Sequence, residues 1–451
     1  MVGLLYNLGF AILSIFAYIF SPEKYNFNFI LFLTCIFLIQ VFKFSIDNSK
    51  ESYLNFYNIF FFGYFFVNYF YPSILYPIDS EFFSIFTINF NELVISKATA
   101  LSNICASFFM LGVSLNNVNK KRKYFKEDFI IRHNKISLLT SILIIIFFMT
   151  IGKDYLSGNF AAQSSLSLYI LQILSSVILI NTIIFFKWFK YQNNKMFFNF
   201  NFIFYISIFL MVGDRGPALS LMIVAIILYS DFVKKIKLYK SLPIALVGLV
   251  LMHVVGEGRT TKTENIDSNI ISRGLENFNL DVNGLYYMTH DFSVNAFTLY
   301  YGYDWVENNG INYGETFIKN FISVIPFLQG FLESAFKLNI KTSSEFFTDK
   351  VLGSNATWGI GTNLVSDVYI STGLLGCIFL FFCFGCYINH CKKNYFYIND
   401  MKSVIIYISL ISFALYYSRT GMFFPIRFIL WTLFIYIFLR SFNFIKKEVY
   451  K

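Results

Sequence analysis

Apolar segments of membrane-spanning length recur along the chain, and they constrain its fold more than any other feature. Repeated runs of roughly 18 to 22 residues match the length a helix needs to cross hydrocarbon about 30 Å thick. Of the 451 residues, 56% are hydrophobic and only 14% are charged. A soluble fold of this size needs more polar surface than that. The sequence therefore predicts an all-α polytopic membrane protein.

Twelve spans can be drawn, and they divide the chain into three parts. Spans 1 to 9 occupy residues 1–255, a long loop occupies 256–362, and spans 10 to 12 occupy 363–451. The predicted spans are 2–20, 26–44, 54–75, 93–115, 136–152, 166–189, 196–212, 217–233, 242–255, 363–390, 403–418 and 421–439.

The first span and the long loop have features that identify their roles. The stretch from Val2 to Phe20 has no basic segment and no small-residue cleavage site, so it is predicted to be a retained helix and not a signal peptide. The long loop contains its own apolar stretch, FIKNFISVIPFLQGFLESAF. This stretch predicts amphipathic helices that lie on the outer membrane surface.

Basic residues gather in five segments that strict alternation of the spans places on one side, together with both termini. They are 116–135, 187–195, 234–240, the stretch from His390 through Lys402, and the C-terminal tail. The positive-inside rule assigns that side to the cytoplasm. The net charge of +10 follows from the same bias and does not require a nucleic-acid partner.

The arginines do not follow this bias. Three of the eight lie on the cytoplasmic side, and the other five lie outside or within the outer half of the membrane: Arg215, Arg259, Arg273, Arg419 and Arg427. Charges near membrane depth are costly and usually functional, and a guanidinium offers a planar fork of donors to phosphate oxygens. The pattern predicts an anion site at the outer interface, suited to a pyrophosphate.

Two alternatives remain open for these arginines. In the first, the arginines serve as interfacial anchors. In the second, they form structural ion pairs with Asp214, Glu257 and their neighbours. In favour of a site, three of them sit where helices end at glycines or in tight turns: GDRGP, HVVGEGRTTKTE and YYSRTGMFFPIRF.

A general base is harder to identify. Candidates on the outer side are Glu257, Asp281, His290, Asp291 and Asp304. The pair His290–Asp291 is favoured as a base because an imidazole transfers protons near neutral pH, although a surface pair is equally compatible with the sequence. Asp214 could instead orient Arg215. The aromatic stretch LYYGYDWVENN predicts either sugar stacking or interfacial anchoring.

The spacing of the cysteines is similar to that of a zinc site, but the surrounding sequence is not. Cys383-x-x-Cys386, followed by His390 and Cys391, has a zinc-like spacing, but it lies in a membrane helix that runs into a basic loop. The spacing is therefore interpreted as helix packing by small residues, and no metal is predicted.

Three motifs make the sequence resemble the bacterial O-antigen polymerase (Wzy) family of polysaccharide repeat-unit polymerases. One is the G-x-R-G turn at 213–216, another is NYGETFIKNFISVIP in the long loop, and the third is GTNLVSDVYISTGLLG at re-entry into the membrane. The resemblance implies a multi-span glycosyltransferase of the GT-C type in the bacterial inner membrane that needs no metal, no cofactor and no nucleotide sugar.

The resemblance also implies the substrates and the roles of the site residues. The donor is a growing glycan on undecaprenyl pyrophosphate, the acceptor is a repeat unit on the same lipid, and a chain-length regulator protein is an expected partner. By resemblance, catalytic weight falls first on Arg215, then on Arg259 and Arg419, and His290 is added as the base on the residue chemistry given above. The expected substrate-binding residues are Arg273, Arg427, Asp214, Glu257, Tyr313 and Tyr369.

Two other functions compete with the polymerase. An O-antigen ligase shares the architecture and the donor but hands the glycan to a lipid A–core acceptor. A flippase for lipid-linked oligosaccharides also commonly has twelve spans. A transporter, however, places charges along a central cavity and often shows two related halves, and neither feature is evident in this sequence.

Overall fold

The computed structural model of the protein describes residues 2–49, 51–88, 90–115, 129–131, 133–150, 165–192, 195–212, 214–236, 248, 250, 253–256, 274–276, 282–336, 340–356, 358–445 and 447–449. The described chain is nearly all helical, which confirms the predicted class. Its α-helices are α1 (Val2–Ile19), α2 (Phe27–Asn48), α3 (Phe56–Phe65), α4 (Ile95–Leu115), α5 (Asn134–Thr150), α6 (Ser165–Lys187), α7 (Lys195–Val212), α8 (Arg215–Phe232), α9 (Val282–Tyr287), α10 (His290–Ser293), α11 (Ala296–Asn309), α12 (Glu315–Ile322), α13 (Leu328–Phe336), α14 (Ser343–Leu352), α15 (Leu364–Lys393), α16 (Met401–Phe413) and α17 (Ile426–Ser441).

Five segments among the described residues are long and apolar enough to cross a membrane. They are Phe27–Asn48, Glu92–Leu115, Tyr169–Lys187, Arg215–Phe232 and Leu364–Ile398. Shorter apolar helices occupy Gly3–Ile19, Asn134–Phe147, Lys195–Leu210 and Met401–Phe413. All nine coincide with predicted spans, so the multi-pass architecture holds, while the count of twelve and the outer position of the long loop stay predictions.

One small element was not predicted by the sequence. Strands β1 (Phe129–Ile131) and β2 (Lys447–Val449) pair in antiparallel register, with Ile130 opposite Glu448. Both strands lie in segments that the charge pattern assigns to the cytoplasm. The ribbon thus joins a basic loop to the C-terminal tail.

The chain forms two compact units. The first contains residues 1–123, 289–399 and 413–427, and the second contains 124–288, 400–412 and 428–451. In the second unit, α5 to α8 pack around a cluster of buried apolar side chains: Ile144, Phe147, Leu174, Ile178, Tyr205, Ile208, Phe209, Ala218 and Leu221.

Close contact between α4 and α15 forms the centre of the first unit. A β-carbon added to Gly112 would overlap the carbonyl oxygen of Phe382, and one added to Gly385 would overlap the carbonyl oxygen of Phe109. Small residues let helix backbones approach in this way inside membranes. Cys386 belongs to the same contact, because its Sγ lies 3.2 Å from the carbonyl oxygen of Gly112. This is the packing role predicted for the cysteine spacing.

Two helices of the first unit depart from regular geometry. α3 continues into a π-helix at Phe66–Leu75 that contains Pro72, and such wide turns often occur at functional sites. α15 is interrupted at Gly373, whose φ of +68° is left-handed backbone that favours glycine. The amide of Asn363, the N-cap of α15, donates to Oδ1 of Asn68 at 2.9 Å. The start of α15 is thereby fixed against the π-helix.

Candidate functional site: two arginine turns and a buried aspartate

The first arginine turn, which comprises residues 214–217, lies in the second unit. Asp214 is the extended N-cap of α8, and Arg215 is the first helical residue, with a half-buried side chain. The free N–H groups at a helix N-terminus give that end a partial positive charge, which adds to the charge of the guanidinium. The turn therefore concentrates positive potential at one end of α8.

Gly256 makes room for this guanidinium. A β-carbon built on Gly256 would lie 2.6 Å from Nη1 of Arg215 and 3.3 Å from its Cζ. Such a distance to Nη1 is far below van der Waals contact, so Arg215 occupies the space that a larger residue at position 256 would fill. The helical turn 253–256, with His253 buried in it, thus lies against Arg215.

A second glycine brings another segment to the same turn. A β-carbon on Gly274 would overlap the carbonyl oxygen of Val254, so the short helical segment 274–276 packs directly on 253–256. Gly256 lies three residues before Arg259, and Gly274 directly follows Arg273. Arg259, Arg273, Glu257 and Asp281 themselves lie outside the described residues, as does Gly213 of the G-x-R-G motif.

The second arginine turn, which comprises residues 416–422, lies in the first unit. Arg419 ends the 3-10 turn Tyr417–Arg419, and its side chain is half-buried. Its Cζ lies 6.0 Å from the ring centroid of Phe292 and 5.8 Å from that of Tyr416. These two rings stack on each other, with centroids 5.7 Å apart. The guanidinium of Arg419 thus makes cation–π contacts with this aromatic pair.

The guanidinium of Arg419 keeps its donors available. Within the part of the chain that the structure describes, no side chain or carbonyl accepts a hydrogen bond from it, and no carboxylate pairs with it. Its nitrogens are not among the fully buried side-chain atoms that lack a partner, so the donors can be reached from outside the protein. An anion at this turn would satisfy those donors.

Asp367 holds this second turn in place. Its Oδ2 accepts the backbone N–H of Met422 at 2.7 Å, and its Oδ1 accepts the hydroxyl of Thr316 at 3.0 Å. The hydroxyl of Ser371 lies 2.8 Å from Oγ1 of Thr316, and it donates that bond because the Thr316 proton is already committed. Asp367 is fully buried. We call Asp367, Thr316, Ser371 and Met422 the Asp367 junction.

Gly421 is required by this geometry. A β-carbon at Gly421 would lie 3.1 Å from Oδ2 of Asp367 and 3.4 Å from Oγ of Ser343, the first residue of α14. The Asp367 junction thus joins α12, α15 and the Arg419 turn, with α14 alongside. Asp367 was not among the predicted site residues, although a lone acid near the start of a membrane-length helix, inside the motif GTNLVSDVYISTGLLG, was an available signal.

His290 lies two residues before Phe292, whose ring contacts Arg419. It opens α10, is exposed, and has Nδ1 3.8 Å from Oδ1 of Asp291. Its ring meets Phe83 edge-on, with centroids 4.9 Å apart. Phe292, two residues further on, contacts Arg419. The structure therefore connects the helix of the proposed base to the Arg419 turn.

The remaining described candidates occupy varied positions. Tyr313 is 87% exposed and has a left-handed φ of +53°. Tyr369 is 4% exposed, donates to Oε1 of Glu307 at 3.1 Å and stacks on Tyr303. Arg427 is the second residue of α17 and is half-buried.

Asp304 takes part in a local contact of the first unit. Its Oδ1 accepts a hydrogen bond from the amide of Asn91 at 2.8 Å. Across the described residues, no three His, Cys, Asp or Glu side chains are grouped so that they could hold a metal ion.

Comparison with known protein families decides the membership of the chain. A family model described as O-antigen polysaccharide polymerase Wzy matches residues 5–448, which is nearly the whole chain. The chain belongs to this Wzy family. No curated protein and no solved structure matches it.

Membership in the Wzy family confirms the resemblance drawn from the three motifs. It supports an O-antigen polymerase role for this multi-pass membrane protein, a glycosyltransferase type of activity, and action on lipid-linked repeat units in membranes. Two of the three motifs also meet in space. Thr316 of NYGETFIKNFISVIP bonds Asp367 of GTNLVSDVYISTGLLG, and the backbone N–H of Asn312 donates to the carbonyl of Ile370 at 2.8 Å.

Proposed function

We propose that this Wzy-family protein transfers a growing glycan from undecaprenyl pyrophosphate to a repeat unit carried on the same lipid. The transfer would take place at the periplasmic face of the bacterial inner membrane, with both termini of the protein in the cytoplasm. No nucleotide is supplied on that side. The donor sugar must therefore arrive already attached to a good leaving group, and a lipid pyrophosphate is one.

The proposed step conserves atoms and charge. A hydroxyl oxygen of the acceptor sugar attacks the anomeric carbon of the donor glycan and forms the new glycosidic bond. The bond between that carbon and the pyrophosphate oxygen breaks, and its electron pair leaves with the lipid pyrophosphate. The hydroxyl proton passes to a base. Negative charge thus grows on the leaving group, where fixed guanidinium groups lower the barrier.

The observation that carries this proposal is the half-buried guanidinium of Arg419 without an acceptor among the described residues. Its turn is tied by Met422 to the buried Asp367, so the charge is positioned before substrate arrives. Preorganised charge of this kind is effective because it needs no rearrangement during the reaction. We assign Arg419 to the departing pyrophosphate.

Arg215 is proposed as a further catalytic arginine, on the strength of its own turn. It lies at the N-terminal end of α8, where the helix dipole also favours an anion. The segments that lead to Arg259 and away from Arg273 pack beside it through Gly256 and Gly274. We propose that Arg259 acts with Arg215 in catalysis and that Arg273 and Arg427 contribute to substrate binding, together with Asp214 and Glu257.

His290 is proposed as the base that receives the hydroxyl proton. Its side chain is exposed, and Asp291 lies near enough to orient the imidazole. Tyr313 and Tyr369 are proposed as substrate-binding residues. Tyr313 is the more accessible of the two, because its side chain is exposed and that of Tyr369 is buried. The reaction is proposed to need no metal, because the guanidinium groups supply the positive charge.

Reconstitution tests the function directly. The purified protein is placed in vesicles with lipid-linked repeat units supplied on both sides, without nucleotide sugar, and the products are resolved as a ladder on a gel. Ladders that persist in the presence of EDTA are expected. A failure to form any product longer than one repeat unit would refute the polymerase.

The same assay separates the alternatives. A flippase moves repeat units across the bilayer and leaves their length unchanged, so a ladder cannot come from transport. A ligase would require lipid A–core and would give no ladder without it. A chain-length regulator, added as a second protein, is expected to narrow the distribution of product lengths and not to be needed for polymer formation.

A further inference from the structure

α12 has its polarity reversed relative to a helix on the surface of a soluble protein. The side chains that it buries are polar, namely Thr316 and Asn320, which are 2% and 8% exposed. Its exposed side chains after the first residue, Glu315, are apolar, namely Ile318 and Phe321, each 49% exposed. In water, a helix would turn its apolar stripe inward. The medium on the outer side of α12 is therefore expected to be apolar.

The apolar surface continues through the following turn and α13. Its members are Ile318, Phe321, Ile325, Phe327, Phe331 and Phe336, each between 49% and 64% exposed. We call this set the apolar ridge. Six large apolar side chains exposed within 19 residues of sequence are a concentration that soluble surfaces avoid. The ridge therefore needs an occupant.

The ridge is continuous with a membrane-spanning surface. The backbone N–H of Asn312 donates to the carbonyl of Ile370, and Thr316 bonds Ser371, so the start of α12 is fixed beside residues 370–371 of α15. Just past the break at Gly373, Leu375 is 81% exposed and Phe379 is 64% exposed. Both belong to the candidate span Leu364–Ile398. The exposed surfaces of α12 and of the span thus lie side by side.

The length of α15 fixes the depth of the ridge. Beyond Gly373, the helix continues from residue 374 to residue 393, about 20 residues, which at about 1.5 Å per residue covers about 30 Å. This equals the thickness of the hydrocarbon core, and His390, Lys392 and Lys393 mark its far end with polar side chains. Gly373 therefore lies at the opposite boundary of the hydrocarbon, and α12 lies beside it.

We infer that the segment from Glu315 to Phe336 lies in the membrane interface, with the apolar ridge inserted among the acyl chains of the bilayer. The occupant is bulk phospholipid and not a partner protein. Interfacial helices bury their apolar side by about 5 to 10 Å, which the large side chains of the ridge can reach. Glu345 and Lys319 form an ion pair at 2.7 Å on the remaining surface, where water and headgroups are available.

Photo-crosslinking in a bilayer of known composition tests this inference. The photoreactive residue benzoylphenylalanine replaces Phe331, and separately Phe321, in the full-length protein. Each variant is reconstituted into vesicles of phosphatidylethanolamine and phosphatidylglycerol that contain no polyprenyl lipid. Leu375 provides the positive control on the span, and Lys350 of α14, an exposed residue away from the ridge, provides the negative control.

Phospholipid adducts at Phe331 and Phe321 within about twofold of the Leu375 yield are expected, with at least tenfold less at Lys350. Adducts at Leu375 alone would overturn the inference, and so would capture of a second protein chain at Phe331. The Leu375 control shows that a residue on the span is captured under the same conditions. Because the readout is lipid capture, it stands even if the protein proves not to be a polymerase.

Discussion

The two arginine turns hold their guanidinium groups in different ways. Arg215 is positioned by space: Gly256 has no side chain, and the guanidinium lies where one would be. Arg419 is positioned by a bond: the N–H of Met422 is held by the buried carboxyl group of Asp367. An atom added at Gly256 should therefore disturb the Arg215 turn, whereas loss of the Asp367 carboxyl group should disturb the Arg419 turn. The variants below exploit that difference.

Removal of the Arg419 side chain should have the largest effect on activity. We expect Arg419→Ala to slow polymer formation about 10²- to 10³-fold, the loss typical when one preorganised donor is removed. Arg419→Lys should recover little, because an ammonium lacks the planar fork. The measurement is the initial rate of ladder formation in vesicles. Normal ladders from Arg419→Ala would remove this residue from the site.

Addition of one methyl group should disturb the Arg215 turn. The atom that a β-carbon at Gly256 meets first is the end of a flexible side chain. Gly256→Ala should therefore leave the unfolding temperature nearly unchanged but displace the guanidinium, with a loss of rate of about 10- to 100-fold. Gly248→Ala is the matched control, since its β-carbon would meet only Leu219 at 3.9 Å. Equal rates for the two variants would contradict placement by space.

Loss of the Asp367 carboxyl should loosen the Arg419 turn. Asp367→Ala leaves the Met422 N–H without its acceptor, at a cost of about 1–3 kcal/mol in stability, while the Thr316 hydroxyl can still bond Ser371. We expect a fall in kcat of about tenfold with little change in KM, because the charge on Arg419 remains but is less well positioned.

Asp367→Asn distinguishes positioning from charge at the same residue. Its amide oxygen can accept from Met422, and its NH₂ can donate to Thr316, so most of the rate should return. If Asp367→Asn were as slow as the alanine variant, the carboxyl group would have a role beyond holding the turn.

The smallest effect is expected at the ion pair between Lys319 and Glu345. Burial acts to raise the pKa of Glu345, but hydrogen bonds from Lys319 and Thr342 outweigh it and lower the pKa below the ordinary value of 4.5. The folded state is thus stabilised by the ionised form above pH 4.5, and this contribution is lost as the pH falls through the lowered pKa.

Because Glu345 is half exposed, its contribution is limited to about 0.2–1 kcal/mol. Glu345→Gln should lower the unfolding temperature at pH 7 by only a degree or two. The difference between wild type and variant should shrink below pH 4. A constant difference across pH would show that the ion pair is not its source.

The sequence predicted the parts of the fold that depend on local patterns. Apolar runs located the membrane-length helices, and glycine and proline at 213–217 predicted the turn that starts α8 at Arg215. The small residues of α4 and α15 predicted close helix packing at the cysteine spacing. Each of these signals lies within a few residues of the feature that it predicts.

What the sequence did not predict depends on distant contacts. Asp367 has its partners 51 and 55 residues away, at Thr316 and Met422, and no periodicity connects them. The break at Gly373 and the π-helix after α3 were hidden for a related reason, since both lie inside runs that read as uninterrupted helix. Tyr369 was selected from the same motif by residue type alone, and two positions away Asp367 makes the contact that matters for the turn.

Gly373, with its left-handed backbone, also divides α15 into two parts with different structural requirements. In an unbroken α-helix, each inserted residue turns everything beyond it by about 100°. At Gly373 the regular helix is interrupted, so the nine residues 364–372 can keep their orientation while the segment 374–393 changes in length. Related chains could adapt the length of that part to thicker or thinner bilayers outside the contact of Gly385 with α4, and retain Asp367 in its place.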